Sequence, residues 1–438
     1  MKMSLRIKLS LMMFLEFAIW GAWMPTLYRY LITDVGEHGL GFSHDQASWI
    51  FAALWLACMV APFIGGQIVD RWIPTQWFLA AVHFLGGLVL LTMTAHKTFD
   101  KMMPAMVIYA LLYAPTLALT ASLCFHHLTN ADKQFGSIRA FGTIGWIAAG
   151  WGLTLWRVLA AKQGVTVPGD MLHLAGWCSL AMALTCCFLP HTPPKKQAEK
   201  PWAFVEAFRL LRNRQFALFL IISFVVTTGL QFYYLPTGTF LTTKTGVGFQ
   251  PKYEALLLTV SQVAEGIVML TLLALALKKL GVRKTLAIGV IAWPLRYVVF
   301  AMYQTVPVWL VVGSLALHGV GYTFFFVVSQ IYVDRVAPKD IRASAQALLT
   351  LMTLGLGSFL GAKFTGWIMG MLTKDGVPNW TWIFLIPCSI TVACALAFLL
   401  FFKEPPPAAA VAGAPADTGE PEPYEGIPDE EPPAPEGI

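Results

Sequence analysis

Apolar runs of about twenty residues recur along this chain, and they leave few folds open to it. Twelve lie near residues 9–31, 47–69, 76–95, 104–127, 137–160, 171–190, 216–242, 254–277, 285–304, 306–332, 342–371 and 380–402. At 1.5 Å per residue each crosses a hydrocarbon core of roughly 30 Å as a helix. Lipid offers no hydrogen bonds, so a chain of this kind must satisfy its backbone internally, as helices. Composition agrees: 57% of the residues are hydrophobic and 12% charged, whereas soluble domains carry about one quarter charged. Lys2, Arg6 and Lys8 ahead of the first run imitate a signal peptide. That run continues to Leu31, contains Glu16 and lacks a small-x-small cleavage site, so it reads as a retained first helix.

Charge orients the spans. The side holding the N-terminus collects 19 Lys/Arg and the opposite side eight, with Arg139, Arg296 and Lys363 within or near the membrane. The positive-inside bias then places both termini in the cytoplasm of a multi-pass protein of the cytoplasmic membrane. A basic excess on loops needs no nucleic-acid partner, and the lipid bilayer is the expected surround. The seven cysteines form no CxxC, and no hydrolytic motif, phosphate loop or metal cluster is legible. Neither an enzyme nor a cofactor is expected.

The runs fall into two sets of six. Residues 1–190 read as an N-terminal six-helix bundle and 216–403 as a C-terminal one. Between them, 191–215 form a basic linker whose stretch from Trp202 to Leu211 reads as an amphipathic surface helix. Residues 404–438 hold ten prolines and nine acidic residues, the composition of a disordered acidic tail. After the second run comes Gly66-x-x-x-Asp70-Arg71, a glycine for close helix approach followed by a charge pair. Six plus six spans about a basic linker resemble the major facilitator superfamily, and this turn resembles its loop motif. The implied fold is an all-α membrane protein of twelve transmembrane helices in two pseudo-symmetric bundles.

Ions inside apolar runs are the strongest functional signal, because each costs on the order of 3 kcal/mol at a helix centre. Arg139, Thr143 and Trp146 share a stripe of span five at i, i+4, i+7. Gln262 and Glu265 share a face of span eight, His318, Tyr322 and Phe325 one of span ten, and Gln231 and Tyr234 one of span seven. Such a cavity suits a neutral, hydroxyl-rich ligand with a flat ring, held by amides and stacked on aromatics. A carboxyl removed from water holds a proton readily, so Glu265 reads as the proton-coupling group. Glu16 reads either as a second titrating site or as one half of a pair. Arg296 and Lys363 read as structural partners. Pro25, Pro115 and Pro236 are expected to kink helices, and Gly357, Gly361, Gly366 and Gly370 to permit close packing.

The segments LEFAIWGAW (15–23), RAFGTIGWI (139–147), SQVAE (261–265), HGVGYTFFF (318–326) and IRASAQ (341–346) together resemble the nucleoside:proton symporter family. The resemblance implies that Arg139, Thr143, Trp146, Gln231, Gln262 and Glu265 bind nucleoside, with Glu265 coupling the proton. Three positions depart from the family pattern. Thr323, after Tyr322, replaces an aspartate; Tyr234 and Ala121 replace asparagines. With Tyr234, His318, Tyr322 and Thr323 added, the expected substrate site has ten residues. A monomeric importer of nucleoside with protons is the leading expectation. A sugar or polyol symporter, an uncoupled facilitator and a non-transporting sensor stay open.

Overall fold

A computed structural model describes residues 3–129, 131–194, 207–338 and 341–403. The acidic tail and most of the linker lie outside these residues. So does the first half of the expected amphipathic helix, and what is described of its second half is a 3₁₀ turn, Ala207–Arg212.

Ten described helices are long and apolar enough to cross a membrane. They are α1 (Met3–Ile32), α2 (His44–Arg71), α3 (Thr75–Met93), α4 (Phe99–His127), α5 (Ala131–Lys162), α7 (Arg214–Thr242), the 51-residue stretch Pro251–Ala301, α10 (Val308–Val336), α11 (Ser344–Met371) and α12 (Trp380–Phe401). The 51-residue stretch is interrupted at Gly281, whose φ of 73° and ψ of 178° no helix contains. It therefore divides into α8 (residues 254–280) and α9 (282–301). A further helix, α6 (Asp170–Cys186), has 17 residues and packs along α3 and α1. These make twelve helical segments among the described residues.

Local chemistry sets the helix ends. The Ser43 hydroxyl accepts from Gln46 N and the Gln46 amide oxygen accepts from Ser43 N, a capping box that starts α2. Asn213 Oδ1 accepts from Gln215 N and Phe216 N at the start of α7, and Asn379 from Trp382 N at the start of α12. Pro236 breaks α7 between Tyr234 and Thr237, as expected of a residue without an N–H.

Two hydrophobic cores form, one almost wholly from residues 9–189 and the other from residues 216–402. The five main packings of the first half recur in the second, six helices on: α1·α5 as α7·α11, α2·α4 as α8·α10, α3·α6 as α9·α12, α1·α6 as α7·α12 and α3·α4 as α9·α10. The halves meet chiefly along α2·α11 and α5·α8, which exchange under the same operation. This is a pseudo-two-fold pair of bundles.

Small residues allow these contacts. A Cβ at Gly361 would meet Gln231 and Thr228 of α7, at Gly366 it would meet Ser48 of α2, and at Gly150 Thr259 of α8. The glycine that admits close approach near the end of α2 is Gly65, against Pro115 of α4; Gly66 faces open space, which corrects the sequence reading. Gly370 likewise has no neighbour.

Every hydrogen bond or ion pair between the halves among the described residues falls on the side opposite the N-terminus. Arg29 Nε donates to Glu254 Oε2 at 2.8 Å, and Arg157 Nη1 lies 3.7 Å from the same oxygen. Arg157 also grips Asp170 through two bonds, of 2.8 and 2.7 Å. Trp151 Nε1 donates to Thr259 Oγ1 at 3.0 Å, and Lys363 Nζ reaches Asp45 and Ser48. The molecule is closed on that side.

Candidate functional site

Between the bundles, a small pocket is lined by Pro25 of α1, Trp146 of α5, Tyr233 and Tyr234 of α7, and Leu258 and Gln262 of α8. Three expected residues thus converge there: Trp146, Tyr234 and Gln262. Pro25 lies inside α1 and contributes its ring to the wall. Tyr233 and Leu258 were not anticipated, because a tyrosine beside a tyrosine and a leucine among leucines carry no distinguishing pattern.

On the N-terminal wall, Trp146 packs edge-on against Trp20 with centroids 5.5 Å apart, in the space that Gly21 leaves by lacking a Cβ. The Arg139 guanidinium lies over the Phe17 ring, 3.9 Å from its centroid. Such stacking attracts a cation without removing its N–H groups from other partners. Thr143, half-buried, occupies the turn between Arg139 and Trp146.

Glu265 stands on the opposite bundle. It is half-buried, and its charge interacts with that of Arg139 across the gap. No ion pair within 4 Å joins the two among the described residues. The carboxyl also interacts electrostatically with Tyr322 and Tyr234. Gln262, one turn earlier, and Gln231, beside Gly361, are buried, and the amide oxygen of each lacks a hydrogen-bond partner.

Span ten needs one correction. His318 and Tyr322 stack with centroids 5.6 Å apart, as their four-residue spacing requires. A π-turn, Tyr322–Val327, follows, and it adds a residue to the turn. Phe326, not Phe325, therefore continues the stripe, 5.3 Å from Tyr322. Phe325 turns into the C-terminal core against Gly289. Thr323 is fully buried with its hydroxyl unpartnered.

The other intramembrane ions have separate places. Glu16 accepts from Thr116 at 2.6 Å and lies 3.1 Å from His83 Nε2, while Tyr113 donates to the Glu16 backbone oxygen at 2.8 Å. All of this is inside the N-terminal bundle. Of the two readings of Glu16, the paired one describes its surroundings. Lys363 joins α11 to α2, as a structural partner does. The Glu254–Arg29–Arg157 cluster was missed, since from sequence its members read as ordinary outer-side charges.

The profile of the family described as Nucleoside H+ symporter matches residues 3–406. The chain belongs to that family. Among this family's relatives, YegT of Escherichia coli is 32% identical over 413 residues, covering 91% of this chain and 93% of its own. Nucleoside permease NupG of Escherichia coli is 29% identical over 416 residues, covering 92% and 96%. The crystal structure of NupG superposes with a TM-score of 0.80 at 27% identity, covering 92% of this chain and all of that one. Peptide transporters of the POT family share the fold at TM-scores near 0.68 and 13% identity. This nucleoside symporter relative is thus a multi-span membrane transporter with the major facilitator fold.

Proposed function

We propose that the chain imports nucleosides together with protons across the cytoplasmic membrane, both termini inside, as a monomer working by alternating access. The observation that carries this reading is the pocket of Trp146, Tyr234 and Gln262 between the bundles, with Arg139 on one bundle and Glu265 on the other, their charges interacting without a direct ion pair. Trp146 and Tyr322 pack on the base. Gln231, Gln262 and Arg139 hydrogen-bond the base or sugar, with Thr143, Tyr234, His318 and Thr323 completing the wall. The outer ion-pair cluster holds the far side closed. Charge moves as follows: a proton taken by Glu265 from outside frees Arg139, the halves rock, and the proton leaves to the cytoplasm when the pair re-forms.

Uptake in proteoliposomes tests this. A nucleoside should accumulate under an inward proton gradient, with adenosine or uridine competing and free ribose competing poorly. Ribose competing as well as uridine would assign the site to sugars or polyols, and uptake indifferent to the proton gradient would make the chain a facilitator.

A further inference from the structure

Arg296, on α9, is wholly buried, and no carboxylate lies within ion-pair distance of it among the described residues. A buried cation left unpaired costs several kcal/mol, roughly. Here aromatic faces partly compensate it: its guanidinium carbon lies 4.4 Å from the centroid of Tyr233, 4.9 Å from that of Trp293 and 5.0 Å from that of Tyr297. Two hydrogen bonds then direct it. Nη2 donates to the Tyr297 hydroxyl at 3.3 Å, which donates to Gly229 O at 2.6 Å, two residues before Gln231 on α7. Nη1 lies 3.4 Å from His318 Nδ1.

That last contact has one possible polarity. A guanidinium has donors only, so His318 Nδ1 must accept. The imidazole is then neutral and carries its single proton on Nε2. Nε2 is buried and has no partner among the described residues. The ring stands among Tyr233 (4.5 Å), Trp293 (5.4 Å), Tyr322 (5.6 Å) and Tyr234 (6.1 Å), fully buried in contact with the two tyrosines that line the pocket. Around it, the charged groups are Arg296 behind and Glu265 beyond the tyrosines. The two unpartnered glutamine oxygens nearby accept; the unpartnered histidine nitrogen donates.

We propose that Arg296 is a positioning residue of the nucleoside site, holding His318 as an Nε2–H donor that reads an acceptor on the base, a ring nitrogen or carbonyl oxygen. The proposal rests on the nucleoside reading above. Without Arg296 the neutral ring is free to carry its proton on Nδ1 and to offer an acceptor instead, so the same histidine loses its preference.

The test uses the purified full chain, with dissociation constants for adenosine and uridine and for base analogues lacking one acceptor each (deaza-adenosines and a deoxygenated pyrimidine riboside). Arg296→Met should weaken at least one parent nucleoside about tenfold. It should leave the matching analogue unchanged, so that the parent-to-analogue ratio collapses. His318→Phe should show the same pattern, the double variant should be no weaker than either single, and Arg296→Lys, which keeps a donor, should recover most of the ratio. Melting temperatures without ligand separate this from loss of fold; should Arg296→Met not fold, Arg296→Leu, which also removes the donor, takes its place in the comparison. A wild-type ratio in Arg296→Met, or losses that add in the double variant, overturns the inference alone. A wild-type chain that binds no nucleoside overturns the transport reading as well.

Discussion

Glu265 shows what one residue contributes when two bundles share it. The residue is half-buried and its carboxylate interacts electrostatically with Arg139 of the other bundle, so its protonation changes the attraction between the halves. Glu265→Gln is expected to abolish accumulation of nucleoside above the outside concentration while sparing exchange of labelled for unlabelled substrate across the membrane. Undiminished concentrative uptake would remove Glu265 from the coupling. Glu16 is the control, because its partners Thr116 and His83 lie wholly within one bundle. Glu16→Gln should lower the melting temperature yet leave accumulation driven by the proton gradient. At Trp146, loss of the ring in Trp146→Ala should weaken the apparent affinity by roughly 2- to 10-fold, the worth of an aromatic contact. Competition uptake measures it. The chemistry of these side chains was legible from the sequence, since an ion or indole at a helical period inside an apolar run has few readings. What each one touches was not legible: Glu16 and Glu265 look alike in sequence, and only packing separates them.

Elements carry information that single residues lack. Helix α5 meets α8 at Gly150, where a Cβ would press on Thr259, while Gly152, two residues further, faces open space. Gly150→Val should therefore wedge the halves apart on the outer side and Gly152→Val should do nothing there. Labelling of a cysteine placed on the outer face of α5 reads this: faster reaction is expected for the first variant only. The π-turn in α10 teaches a related lesson. A stripe drawn at 3.6 residues per turn assigns Phe325 to the site, but one widened turn moves the stripe to Phe326. A widened turn is a choice among nearly equal hydrogen-bonding patterns, and the neighbouring helices make that choice. The long helix interrupted at Gly281 is the converse case. The basic turn between spans eight and nine is plain in the sequence because a positive-φ glycine is inexpensive there.

At the scale of the molecule, the repeated packing of six helices and the one-sided closure fit together. A two-fold pair of bundles can open on either side of its midplane, and side chains at the ends bias the choice. In the alternating access proposed above, that bias falls to Glu254 of α8, fully buried between Arg29 of α1 and Arg157 of α5. Removing one member of such a buried group typically costs about 3–5 kcal/mol, charged to the closed state alone. Glu254→Gln is thus expected to shift the population toward the state open to the outside. Distances between spin labels on the outer ends of α1 and α7 should lengthen; an unchanged distribution would show that packing along α2·α11 and α5·α8 suffices without the cluster.

Spans, sidedness of charge and division into two sets of six belong to the sequence, because lipid penalises any unpaired backbone group or stray charge strongly enough to write those features into composition. Which aromatic and amide side chains recur at helical spacing inside the spans belongs there too. Only the tertiary structure decided which charges answer each other: Arg139 to Glu265, Glu16 to His83, Glu254 to two arginines, and Arg296 to a histidine instead of an acid. A charge in an apolar run announces that it needs a partner. The partner can come from any helix within reach, and the distance between helices is set by glycines, π-turns and the meeting of two bundles, none of which has a local period.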